Sequence, residues 1–135
     1  MRWLAILIAV IITGCNSVKP EIGIEINSVS FVNATDTDIK GLEARVAHHN
    51  SKMACGYIPD KGLCSVAFQP RPFLNNPFNI RWQQGGRTYQ LSSQHFVSQL
   101  KTDSVGYVSG VVTLNADGSI TAYLYPQDMT ERELF

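Results

Sequence analysis

The chain has 135 residues, with 11 lysines and arginines against 11 aspartates and glutamates, and 44% of it is hydrophobic. So even a charge balance, with no acidic or basic block, leaves no electrostatic footprint for nucleic acid. The length suits a single domain with its own core.

Met1-Arg2 is a short cationic start, and residues 3–12 form an unbroken apolar run. That run is too short to span a bilayer, which takes about 20 apolar residues. Small residues, Thr13-Gly14, and then Cys15 follow, so the stretch reads as a secretory signal peptide over residues 1–14. The ending Ile12-Thr13-Gly14-Cys15 resembles the bacterial lipoprotein signal. The resemblance implies a Cys15 that is lipidated and becomes the first residue of the mature protein. An ordinary cleaved signal with an incidental cysteine is the alternative. Two or three acyl chains on Cys15 would hold the protein to a lipid bilayer, where one chain holds only marginally. Residue 16 is asparagine rather than the aspartate that retains such proteins in the inner membrane of enteric bacteria. The expected address is therefore the periplasmic face of the outer membrane, ahead of the inner membrane or the cell surface.

Residues 15–20, with Val18-Lys19-Pro20, read as a tether. A β domain is expected over residues 21–126. Ile22, Ile24 and Ile26 alternate with polar or small neighbours, and Val29 and Phe31 continue with the opposite parity. The phase slip at Asn27-Ser28 calls for a bulge or a strand break. Residues 34–38 are a turn by composition. Residues 39–47 fit a helical face through Ile39, Leu42 and Val46. They also fit a strand through Leu42, Ala44 and Val46, and Gly41 tips the choice to strand. His48-His49 reads as a polar loop, because His95 is too remote in sequence to complete a metal site with them.

Cys55 and Cys64 are an isolated pair in an oxidising compartment and read as a disulfide. Two free thiols are the alternative, and zinc lacks ligands at the right spacing. Between them, Pro59-Asp60-Lys61-Gly62 has the composition of a type I turn. Cys64, Val66 and Phe68 share one strand face, with the Cys64 sulfur inward. The proline-rich residues 69–77 cannot join a central strand. Phe78, Ile80 and Trp82 alternate towards Gly85-Gly86, a type I′ hairpin signal that sets Trp82 opposite Tyr89 and Ile80 opposite Leu91. Phe96, Val97 and Leu100 suggest a short helix capped by Ser92 or Ser93. A three-residue turn over residues 116–118 pairs Leu114 with Ile120 and Val112 with Ala122. Residues 127–135 form a polar tail with Thr130 and Glu133 at capping-box spacing. Six or seven mostly antiparallel strands result. They point to a small all-β sandwich, with a partly open barrel as the alternative.

Catalytic motifs are absent: there is no nucleophile elbow, phosphate-binding glycine loop or zinc-protease signature, so no catalytic residue, cofactor or metal is assigned. Trp82, Tyr89, Tyr107, Tyr123 and Tyr125 fall at strand periodicity and read mostly as core. A tethered domain of this kind is expected to bind a periplasmic or envelope protein. The expected contacts are Tyr57 and Ile58 in the cysteine-bounded turn, with Arg71, Phe73 and Leu74 in the proline-rich loop. Phe73 and Leu74 could instead fold back to plug one end of the sandwich. The lipoprotein cysteine, Asn33-Ala34-Thr35-Asp36-Thr37-Asp38-Ile39, Phe78-Asn79-Ile80-Arg81-Trp82 and Asn115-Ala116-Asp117-Gly118 resemble a family of small lipoproteins of Gram-negative bacteria. That family is similar to immunity proteins against type VI secretion effectors. The resemblance implies neutralisation of a secreted toxin such as a phospholipase. A pilotin-like accessory of a secretion system, and a receptor-blocking lipoprotein of phage or plasmid origin, are the other readings.

Overall fold

The computed structural model describes residues 24–47, 51–98 and 106–127. Among the described residues the strands are β1 (Ile24–Asn33), β2 (Ile39–Val46), β3 (Lys52–Ile58), β4 (Leu63–Pro72), β5 (Phe78–Gln84), β6 (Arg87–Gln94), β7 (Val97–Ser98), β8 (Gly106–Leu114) and β9 (Ile120–Pro126). They form two sheets, ordered β4-β1-β8-β9-β7 and β3-β2-β5-β6. No strand is hydrogen-bonded into both, so the fold is a β-sandwich and the barrel alternative falls. Pairing is antiparallel except for β1 with β8 and β7 with β9. The signal segment, Cys15, the tether, His48-His49, Leu100 and the tail beyond Gln127 lie outside the described residues.

Among the described residues nine strands stand where six or seven were expected. The difference lies mainly in β3, a partly exposed edge strand with no clean alternation, and in the short β7. The expected helix around Phe96 is likewise absent from residues 92–98. Instead β6 continues to Gln94 across a register shift, with Ser93 at φ 56°, and β7 follows. The bulge breaks the alternation and only imitates a change of period.

One hydrophobic cluster fills the space between the sheets. Phe31, Val112 and Leu114 from one sheet belong to it with Leu42, Ile80 and Trp82 from the other. Each large apolar side chain so buried contributes roughly 1.5–3 kcal/mol. The β5–β6 hairpin has the expected register, Trp82 with Tyr89 and Ile80 with Leu91, and both glycines of its turn have positive φ. Trp82 and Tyr89 stack with ring centroids 5.4 Å apart. The β8–β9 hairpin also pairs as expected, Leu114 with Ile120 and Val112 with Ala122, with Gly118 at φ 85°.

The two outer faces differ in chemistry. On the four-stranded sheet Glu43 forms ion pairs with Lys52, Arg45 and Arg81 at 3.2, 3.8 and 4.0 Å. Hydroxyls are prominent on the other sheet, where Ser28 pairs with Ser109 and Ser30 with Ser65 through their hydroxyl oxygens. Tyr107 and Tyr125 are exposed there rather than in the core. Val108, Gly110 and Val112 supply the inward positions of β8, and Tyr107 has the opposite parity.

Candidate binding site

Two ends of the sandwich carry the groups singled out in the sequence. At the first end β1 finishes on Asn33, which is wholly buried. It continues the inward parity of Val29 and Phe31, so a polar side chain stands where an apolar one is due. Its amide is fully used. Nδ2 donates to the carbonyls of Thr37, Ile58 and Pro59 at 2.8, 3.3 and 3.1 Å, and Oδ1 accepts from the Thr35 backbone N–H and hydroxyl. Gln84 Nε2 extends the network by donating to Thr35 Oγ1 at 2.6 Å. A satisfied network of this kind fixes the two turns that cap this end.

Asp38 fastens the turn between β3 and β4 from outside. Its carboxylate accepts from the Asp60 N–H at 3.0 Å and from the Tyr57 hydroxyl at 2.9 Å. The Asp60 N–H, helped by the Tyr57 hydroxyl, holds the Asp38 carboxyl below the usual carboxylate range, and the same bond raises the Tyr57 phenol. Gly62 N–H donates to the Pro59 carbonyl at 2.9 Å, closing a four-residue turn. Lys61 has φ 58°, which excludes the type I geometry expected, since that type has negative φ at its third residue. A Cβ on Gly62 would meet the Pro59 ring at 2.6 Å, so only glycine fits. Cys55 and Cys64 are joined by the expected disulfide, with Cα atoms 6.3 Å apart. It staples β3 to β4, the neighbouring edges of the two sheets. Tyr57, 54% exposed, and Leu63, 64% exposed, project from either arm of the stapled turn. Ile58, expected beside Tyr57 on the surface, is instead wholly buried. It stands three residues from buried Cys55, a spacing that simple alternation does not produce. A shallow polar trough of about 590 Å³ adjoins this end, lined by Asp38, Lys40, Gln83 and Arg87 among others.

The second end lies at the start of β1. Here β4 runs along the open edge of its sheet with Pro70 and Pro72, where prolines are tolerated. Ile26 pairs with Arg71 but Ser28 pairs with Ala67, so residues 68–70 bulge opposite Asn27. The slip expected at Asn27-Ser28 is this bulge. Beyond it an apolar cleft of about 430 Å³ opens between the sheets. Phe96 lies in its floor, 5.1 Å from Phe78 and 6.1 Å from Phe73 by ring centroid. Gly110 makes the seat for that ring, because a Cβ there would sit 2.7 Å from Phe96 Cε1. Asn75 exchanges two hydrogen bonds with the Phe96 backbone, at 3.3 and 3.2 Å, and so pins the loop after β4.

The expected binding residues are therefore divided. Phe73 packs against the core as a plug, whereas Leu74 is 61% exposed. Arg71 is exposed, donates from Nη1 to Ser51 Oγ at 2.6 Å, and lies over the Phe68 ring at 5.1 Å. Tyr57 stands at the other end, five residues along β3 from Lys52 at this cleft, or roughly 16 Å at strand rise. Asn33, Asn75 and Phe96 were given no site role from sequence. For Asn33 the signal was present as an inward-parity polar residue. Among the described residues no group of three or more potential metal ligands comes together.

No family model matches the chain, and no curated protein matches it. A solved structure, the NMR structure of a protein from Eubacterium rectale, is similar at 7% identity. The match covers 86% of this chain and 99% of that one, with a TM-score of 0.48.

Proposed function

We propose that the protein is a lipid-anchored binding module of the bacterial envelope, held to the outer membrane through Cys15, that neutralises a periplasmic toxin such as a secreted phospholipase. The observation that carries the reading is the stapled turn. Tyr57 and Leu63 are exposed apolar groups on a loop already fixed by the disulfide, Asp38, Asn33 and the close fit of Gly62 to Pro59. Ordering a loop before binding removes a cost that weakens flexible contacts. Tyrosine is also among the residue types that dominate interface energies.

The test uses the full chain in cells challenged with a periplasm-directed phospholipase of the same organism. Leu63→Ala should leave the melting temperature within about 2 °C of the parent, and Tyr57→Ala, which also gives up the hydroxyl bond to Asp38, within about 5 °C, since neither side chain is in the core. Each should weaken partner affinity by more than about 1 kcal/mol and reduce protection. A doubly substituted protein that is stable and still protects fully would sink this reading. In parallel, a clickable palmitate analogue should label the protein, and Cys15→Ser should abolish the label.

A further inference from the structure

The cleft at the start of β1 has a chemistry of its own, at the opposite end from the Tyr57 turn, and its function does not rest on the toxin reading. Its walls are apolar, with Ile26, Val66, Phe68, Phe73, Phe78 and Phe96 contributing. Among the residues that line it, those carrying charge are Lys52 and Arg71, both cations, and no aspartate or glutamate is present. Lys52 is engaged with Glu43 at 3.2 Å. Arg71 is more available. Ser51 takes one of the five N–H donors of its guanidinium, and the Phe68 ring holds the group at the mouth of the cleft. We propose that this cleft binds a single-chain anionic amphiphile, a long-chain fatty acid, with its chain between the sheets and its carboxylate on Arg71.

Three observations bear on the shape of that ligand. At about 430 Å³ the cleft falls within the range of roughly 300–1,000 Å³ usual for small-molecule sites. A slot between sheets that pack about 10 Å apart suits something slender, one acyl chain wide. The planar fork of an arginine matches a carboxylate through two parallel hydrogen bonds, which fixes the head at the rim. The bulge across Ile26/Ser28 and the prolines of β4 open the slot, while the disulfide closes the opposite end. Gly110 leaves room for the Phe96 ring, which a Cβ there would displace.

The experiment uses the full chain in phosphatidylcholine nanodiscs, with a diazirine-bearing palmitic acid as probe and the corresponding fatty alcohol as control. Irradiation should place adducts on peptides containing residues 66–78 or Phe96, and excess oleate should compete them away. Arg71→Glu should reduce labelling by the acid at least fivefold and labelling by the alcohol less than twofold. Arg71→Lys, which keeps the charge but loses the two-bond fork and the seat on Phe68, should label with the acid at a level between the parent and Arg71→Glu. Melting curves on each variant check that the exposed substitution leaves the fold intact. Adducts spread over the outer sheet faces would overturn the proposal, as would equal sensitivity of acid and alcohol to Arg71→Glu. A protein that shows no competable label also overturns it.

Discussion

Asn33 and Asp38 fix the same end of the sandwich by opposite means. Asn33 works from inside, where its neutral, wholly buried amide donates to the carbonyls of Thr37, Ile58 and Pro59. Asp38 works at the surface and depends on its charge. The sign of its pH effect follows from the bonds it accepts. The Asp60 N–H and the Tyr57 hydroxyl favour the ionised carboxylate, so its folded pKa lies below the ordinary 3.8. The stabilisation is present above the ordinary value and is lost as pH falls through the lowered one. The difference in melting temperature between the parent and Asp38→Asn should therefore be constant near neutrality and shrink below about pH 4. A difference that stays level down to pH 2.5 would show that the carboxylate charge does not hold the turn. Tyr57 carries the complementary signature. Its raised phenol keeps the hydroxyl bond intact until the pH rises through a folded value above 10.

Irregularities within strands explain where alternation misleads. Gly41 has φ 58°, and the register between β2 and β5 shifts between Lys40 and Glu43. The extra residue lets Ile39 and Leu42, three apart, both face the core. That spacing is why residues 39–47 fit a helix as well as a strand. Ile58 and Cys55 on β3 repeat the pattern opposite, which is how a buried isoleucine came to be expected on the surface. Regular stretches were legible: both hairpin registers follow from side-chain parity and turn glycines alone. Bulged ones were legible as disturbances without their direction, as at Asn27 and Ser93. The Gly41 reading has a direct test. A Cβ there meets nothing within 4 Å, so any cost of Gly41→Ala comes from the backbone and not from packing. Alanine should cost about 1–2 kcal/mol in urea unfolding, and Gly41→Asn clearly less, because asparagine visits the left-handed region more readily. Equal losses for both would mean that the position does not require positive φ.

The expected site came apart because nearness in sequence was read as nearness in space. Tyr57 lies within the disulfide loop and Arg71 only seven residues past it, but β4 carries the chain from Cys64 to Arg71 along the sheet edge, roughly 20 Å away at strand rise. The staple itself was legible, and it sets how the two sheets hold together. Cys55 lies on the edge strand of one sheet and Cys64 on the edge strand of the other, nine residues apart. A link across so short a loop removes unfolded-state entropy worth about 2.5–3 kcal/mol in the chain-entropy picture. Domains of this size are stable by roughly 5–15 kcal/mol, so the core should survive the loss. Reduction is a better perturbation than substitution, because both sulfurs stay in place and no cavity forms. Urea unfolding with and without reductant should show the midpoint falling and stability dropping by about that amount. The slope of free energy against urea should rise slightly, because the uncrosslinked chain exposes more surface when unfolded. Alkylation followed by intact mass provides the control, with two labels gained only after reduction. A drop in stability under about 1 kcal/mol with an unchanged slope would mean that the unfolded chain keeps these edges together without the bond, and the entropic account would fail.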